Sequence, residues 1–313
     1  MKTTILIIAL MIMTPSYTNF GKSSTCNLKK PEGTRELKIL TWNIYMLPHC
    51  SWIHGNCKRA KVIAEKLKVS DYDIIVFEEA FDYKARKILR QQLQELYPFI
   101  YGPANESFLS FRTNSGIWVL SKVPLKKLKE IQYRNRYGID AMARKGAVMF
   151  EGEWNDCQFQ LVGTHLQADS PDEVRREQCN EIAVLLLKKF SKENVPQIVC
   201  GDFNIEMEDA TNYHYMLNTL EAENGQIDGD THSSYDEIDN ILAKKQNGKK
   251  QLIDYVLVRN SKLIKNIKRK ISVFREYKNN VLLELSDHYG IEASVNFKLP
   301  LEFSTSLPYL TKQ

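Results

Sequence analysis

Short, nearly continuous apolar runs alternate along this chain with amphipathic stretches of helical period. Leu37 to Ile44 is largely apolar, as strands buried on both faces are, and carries Asn43 near its end. Lys58 to Lys68 has Ala60, Val62, Ile63, Ala64 and Leu67 on a helical period. Tyr72 to Phe77 predicts a second buried strand that runs into Glu78 and Glu79, and Asp82 can cap the helix that follows. That helix presents Ala85, Ile88, Leu89, Leu93 and Leu96 on one face. From Gly116 the pattern turns to consecutive strands: 116–121, then a hairpin of 145–153 and 158–164 joined through Trp154-Asn155-Asp156 and ending at His165. Pro171-Asp172 opens a helix to about Phe190, and a strand from Gln197 reaches Gly201-Asp202. A helix over 210–220, a polar loop over 223–239 and a strand over 252–258 come next, with the last strands flanking Ser286-Asp287-His288. This order predicts one mixed α/β domain over residues 33–297 and a tail over 298–313.

The apolar runs repeatedly stop at a polar residue: Asn43, Glu79, His165, Asp202 and His288. One such ending is chance, whereas five point to a shared edge at which a site is assembled. Asp202 and Asn204 stand two apart, a spacing that in extended backbone puts both on one side, facing one reacting group. Gly-Asp followed by Asn is also an ordinary turn, and that reading stands beside the first. Asp254 lies inside a strand and needs a partner, either a histidine or a core Lys or Arg. His165 and His288, each taken alone, also read as satisfied core histidines. Together the residues are mostly oxygen donors with no Cys/His cluster, which favours a hard cation such as Mg²⁺. Two histidines beside such a cation suit phosphoryl chemistry, one taking a proton from water and the other serving the departing oxygen.

Composition narrows this only a little. The chain has 313 residues, 43% hydrophobic and 26% charged, enough for a sizeable core. A net charge of +5 suits anionic substrates or surfaces without a dense basic block, so nucleic acid is the less favoured partner. Lys244 to Lys250 and Lys262 to Lys270 read as solvated faces. The N-terminus changes the picture more: Lys2, an apolar run from Ile5 to Met13 and then Thr14-Pro15-Ser16 form the pattern of a secretory signal peptide, taken as residues 1–22. An exported, soluble, monomeric protein is expected, and Cys26 carries little sign of a lipid anchor. Six cysteines fit an oxidising compartment. A disulfide between Cys50 and Cys57 is expected, with a zinc site of His49, Cys50, His54 and Cys57 as the alternative. Cys157, Cys179 and Cys200 read as buried thiols or, in part, one more bridge.

Six segments then stand in a telling order: Thr41-Trp42-Asn43-Ile44, Phe77-Glu78-Glu79-Ala80-Phe81-Asp82, Gly163-Thr164-His165, Gly201-Asp202-Phe203-Asn204, Ile253-Asp254-Tyr255 and Ser286-Asp287-His288-Tyr289. In this the chain resembles the endonuclease/exonuclease/phosphatase superfamily, the enzymes similar to pancreatic deoxyribonuclease. Tyr45-Met46-Leu47, Gly116 to Lys122, Lys145-Gly146 and Arg176-Glu177-Gln178 make it most similar to the secreted bacterial neutral sphingomyelinases. The resemblance implies a four-layer sandwich of two mixed β-sheets flanked by helices, and hydrolysis of sphingomyelin to ceramide and phosphocholine at a membrane surface. It also implies that Glu79 is the principal Mg²⁺ ligand, with Asn43 and Asp287 near the metal. His288 would be the general base or help bind the metal, Asp254 would orient a histidine, and Asp202 would position the attacking water. Asn204 would hold a phosphate oxygen and His165 would stabilise developing charge, while Glu78 would point the other way from Glu79. The Thr231 to Asp236 loop loosely matches a segment near the substrate. One departure stands out: where the secreted sphingomyelinases carry an aromatic hairpin tip, this chain has Phe274 and Tyr277 alternating with charges. A nuclease or another phosphoester hydrolase on the same fold, and a non-catalytic binding module, are the alternatives.

Overall fold

The computed structural model describes residues 36–48, 55–107, 112–229, 231–278 and 281–298. In chain order these form β1 (Glu36–Met46), α1 (Asn56–Lys68), β2 (Ile74–Ala80), α2 (Tyr83–Leu93), β3 (Phe99–Tyr101), β4 (Trp118–Ser121) and β5 (Leu125–Gln132). A hairpin of β6 (Gly146–Trp154) and β7 (Cys157–His165) leads to α3 (Asp172–Ile182), β8 (Gln197–Asp202) and α4 (Ala210–Leu220). Four two-residue strands follow: β9 (Ala222–Glu223), β10 (Asp228–Gly229), β11 (Tyr235–Asp236) and β12 (Lys250–Gln251). The last are β13 (Asp254–Arg259), β14 (Ile264–Ser272), β15 (Arg275–Lys278), β16 (Val281–Glu284) and β17 (Gly290–Phe297). The proposed leader, the Cys50–Cys57 pairing, its zinc alternative and the tail beyond Lys298 lie outside the described residues.

Two mixed sheets carry the architecture, one ordered β10-β14-β17-β1-β2-β4-β3 and the other β5-β6-β7-β8-β13-β9. Alternation along β1 explains why they stack. Leu37 and Ile39 belong to the core that also holds Val162, Ile198, Val199 and Val256 of the second sheet, whereas Leu40, Trp42 and Ile44 pack with Ala60, Ile63, Leu67, Leu89 and Leu93 of α1 and α2. Each such side chain, fully buried, contributes roughly 1.5–3 kcal/mol. On the far side of the second sheet, Gln160 donates to Phe190 O and Gln197 to Leu187 O, tying β7 and β8 to the segment after α3. Four layers result, as the resemblance implies.

Local chemistry follows the sequence in most places. Asp82 caps α2 by accepting from Lys84 N and Ala85 N, and Asn155 and Asp156 turn the β6–β7 hairpin with φ of 48° and 66°. At Gly201, φ is 144° and a Cβ would stand 1.9 Å from Thr164 O. Only glycine lets β7 and β8 close up there, and the closure sets His165 opposite Asp202. The basic segment read as a solvated face is the lysine-bearing strand β14, in which Arg269 is buried and donates to Val256 O. No disulfide forms among the described residues; Cys179 and Cys200 are buried thiols, and Cys157 is half-buried.

Candidate active site

β1 and β2 run parallel, as do β7 and β8, and β13 pairs antiparallel to β8 with Asp254 opposite Asp202. The carboxyl ends of four strands and the start of a fifth therefore meet at one edge of the sandwich. Asp202 is the meeting point. Its Oδ2 accepts from Asn43 Nδ2 at 3.1 Å across the two sheets. The same oxygen lies 3.4 Å from His165 Nε2 and 3.8 Å from His288 Nε2. Its Oδ1 accepts from Asn204 N at 2.9 Å, and Asn204 has φ of 51°. The turn and the site are thus one object: one carboxylate oxygen makes the turn and the other faces the cleft. That left-handed backbone also replaces the extended geometry expected of 202–204, and Asn204 Nδ2 donates to Leu166 O at 3.1 Å.

The two histidines sit in opposite fields. His288 Nδ1 lies 2.9 Å from Asp254 Oδ2, so Asp254 has a histidine as its partner. Burial would lower the His288 pKa, but the carboxylates of Asp254, Asp202 and Asp287 outweigh it and hold the ring well above the ordinary histidine value. His165 is pushed down to about 3, first by burial and then by Lys145. The Lys145 ammonium stands 2.9 Å from His165 Nε2, 3.0 Å from Leu166 O and 2.6 Å from Asp140 Oδ2.

Strand alternation does not separate Glu78 from Glu79 as the sequence predicts. Alternation puts Glu78 between the sheets, where it accepts from Thr41 Oγ1 at 2.8 Å. The backbone of Glu79 is left-handed, with φ of 51°, which breaks the alternation and leaves its Oε1 4.0 Å from His165 Nε2. Burial and then Asp287 raise the Glu79 pKa to about 7. Burial also raises Asp287, against the pull of His288. Buried Glu79 Oε2 has no hydrogen-bond partner. Asn43 Oδ1 accepts from Tyr45 N at 3.1 Å. Elsewhere in the cleft, Asp202, Asp254 and His288 offer ligand atoms that all lie within 4.8 Å of one another, a group able to hold a metal ion.

The chain around the site adds residues that sequence reasoning left without a role. Lys145 was visible only as half of a Lys-Gly pair. In the polar loop, Ser234 Oγ accepts from Ile253 N at 3.0 Å and Asp254 N at 3.1 Å, and the Tyr235 ring lies 4.8 Å from that of His288. Ser286 Oγ donates to Asn43 O at 2.6 Å, linking the Asp287 segment to β1. Phe274 stacks on Trp42 at 4.4 Å and so anchors the β15–β16 hairpin rather than standing at its tip. Tyr277 is 74% exposed.

With that geometry in place, comparison with known proteins is decisive at the family level. The sequence profile of the Endonuclease/Exonuclease/phosphatase family matches residues 40–288. The chain belongs to this family. Among curated relatives, sphingomyelinase C 2 of Leptospira interrogans is 31% identical over 222 residues, covering 64% of this chain and 36% of that protein. The chain thus spans little more than a third of the Leptospira relatives it matches, 36% and 38%. Phospholipase C of Staphylococcus aureus is 25% identical over 304 residues, covering 86% of this chain and 91% of that protein. Among solved structures, sphingomyelinase C from Streptomyces griseocarneus superposes with a TM-score of 0.73 at 22% identity, covering 84% of this chain and 100% of that one. A beta toxin mutant from Staphylococcus aureus with bound magnesium ions has a TM-score of 0.72 at 24% identity, covering 82% of this chain and 99% of that one. The two-sheet architecture is shared with both.

Proposed function

We propose that the protein is an exported, Mg²⁺-dependent phosphodiesterase that hydrolyses sphingomyelin at a membrane surface to ceramide and phosphocholine. The observation that carries this reading is the Asp202 carboxylate, reached at once by Asn43, His165 and His288. The relatives' names supply the substrate class, and the charged and apolar pattern before Thr14 supports export.

A hard divalent cation fits the residues present. Glu79 and Asp287 are half-buried carboxylates whose charges oppose each other, and Glu79 Oε2 has no hydrogen-bond partner among the described residues. Those two residues, with Asn43 beside them, would hold the ion. Asp202, Asp254 and His288 are the other candidate set, but His288 Nδ1 is already engaged by Asp254 at 2.9 Å. When bound, Mg²⁺ supplies Lewis-acid polarisation of a phosphoryl oxygen and offsets the pull of Asp287 on His288. The remaining steps belong to this chain's own groups. Asp254 holds the ring of His288 so that Nε2 faces Asp202; between them they orient a water, and they take its proton once the ring has lost its own. Attack at phosphorus forms a P–O bond to water and breaks the one to ceramide, whose oxygen takes up a proton from solvent as His288 and Asp202 release to solvent the one they took. His165 and Lys145 place a neutral donor surface and a fixed positive charge where the phosphate gains charge. Asn204 orients a phosphate oxygen.

The purified full chain with Mg²⁺ should release phosphocholine from sphingomyelin vesicles, and EDTA should abolish the release. Rapid nicking of plasmid DNA without lipid turnover would overturn the reading in favour of a nuclease. Hydrolysis of neither would leave a binding module.

A further inference from the structure

We propose that Arg59 is a positioning residue for the cation site, a buried guanidinium that fixes the strand ends bearing Asn43, Glu79 and Asp287 relative to one another. The inference rests on the reading of those three residues as the cation's holders. Arg59 projects from α1 and is 1% exposed. Its Nη1 donates to Ile44 O and Leu285 O, both at 2.8 Å, and its Nη2 to Tyr45 O and to Asn56 Oδ1 at 3.0 Å. Ile44 and Tyr45 directly follow Asn43, and Leu285 stands two residues before Asp287. One planar group therefore ties the end of β1 to Leu285, which lies 226 residues beyond Arg59 in the chain. Asn56 extends the tie: its Nδ2 donates to Leu47 O and to Asp82 Oδ2, each at 3.0 Å. Asp82 lies three residues past Glu79 and donates its own N–H to Met46 O at 2.9 Å. All three ligand-bearing segments thus meet at Arg59 and Asn56.

Filling space on α1 does not call for a guanidinium. Ile63 and Leu67, on the same face, pack against β1 as apolar side chains do. The need arises because β1 is irregular here: its pairing with β2 shifts register between Asn43 and Met46, and Tyr45 has φ of 48°. The carbonyls of Ile44 and Tyr45 are turned toward α1, and a forked donor holds them there. Lysine carries the charge on a single flexible tip and cannot reproduce that fork. Burial lowers the Arg59 pKa to about 10, against the opposing pull of Asp287, Tyr45 and Glu79, so the group stays charged near neutral pH.

Arg59→Lys retains the positive charge and removes the fork. Calorimetric titration of the lipid-free protein with Mg²⁺ should give affinity about 10–100-fold weaker than wild type, the range for losing an outer-shell partner of a metal ligand. Turnover of sphingomyelin should recover as Mg²⁺ is raised, with the lipid KM at saturating Mg²⁺ unchanged. A purely structural role would lower the urea midpoint and leave the Mg²⁺ affinity of the folded protein intact. Equal Mg²⁺ affinity in wild type and Arg59→Lys overturns the inference while the functional reading stands. Wild-type protein that binds no Mg²⁺ and turns over no lipid overturns both. Should Arg59→Lys fail to fold, Asn56→Ser removes the link to Asp82, and unchanged Mg²⁺ affinity in that variant overturns the inference as well.

Discussion

The two histidines of the cleft are equally buried and almost opposite in character. On one side, His165 is held neutral by burial and by the ammonium of Lys145, its pKa pushed to about 3. On the other, His288 is surrounded by Asp254, Asp202 and Asp287 and held well above the usual range. Two groups of the same type whose surroundings drive their pKa values apart are the mark of divided labour. In the proposed reaction the His288 side moves a proton, and the His165 side offers hydrogen bonding beside the Lys145 ammonium.

Substitution should expose that division most sharply on the His288 side. His288→Ala should lower kcat about 10²–10⁴-fold, the usual share of a general base, while the protein keeps its circular dichroism spectrum. Added imidazole should restore part of the loss. Retained turnover would remove His288 from the chemistry. The Lys145 side should give a smaller effect. Lys145→Met should lower kcat about 10²–10³-fold, the cost of losing one charge-stabilising donor, and imidazole should restore nothing. If Lys145→Met instead responded to imidazole as His288→Ala does, the two sides would not be doing different work.

Much of this division was legible in the sequence, but unevenly. Asn43, His165, Asp202, Asp254 and His288 stood out because each interrupts or ends an apolar run, and strand packing then had little choice about where they go. Glu79 was visible as a strand end, yet plain alternation would send it toward α1 and α2. Its left-handed backbone turns it to the cleft, and no residue pattern announces that. Lys145 was hidden because a lysine before a strand reads as surface; only the fold reveals it to be 2% exposed. Arg59 did leave a trace. It lies four residues before Ile63 and eight before Leu67, on the apolar face of α1, where a charge needs a reason. β14 was missed because its lysines do face solvent, as read, and a solvated face alone does not announce a strand.

The shared edge itself can be tested through its glycine. Gly201→Ala places a Cβ 1.9 Å from Thr164 O, against backbone that cannot swing away. A loss of about 3 kcal/mol or more is expected in urea denaturation, from strain and overpacking together. Gly55→Ala is the control: φ there is also positive, at 63°, but no atom of the described residues lies within 4 Å of the added one. It should cost only about 1–2 kcal/mol, the left-handed penalty alone. Equal losses would mean that the β7–β8 approach does not constrain the His165 and Asp202 pairing.

The smallest effect is expected far from both histidines, on the β15–β16 hairpin. Phe274 is committed to Trp42, and Tyr277 is the exposed aromatic of the described hairpin residues, set beside Glu276 and Lys278. An aromatic flanked by charges covers too little apolar surface to drive insertion into a bilayer. Tyr277→Ala should therefore change stability by no more than about 0.5 kcal/mol, as exposed substitutions do, and vesicle turnover by no more than about twofold. A tenfold loss on vesicles, with hydrolysis of a soluble phosphocholine ester unchanged, would show that this hairpin is the membrane contact after all. It would also make the hairpin a third functional region, acting through where the enzyme sits rather than through charge or proton transfer.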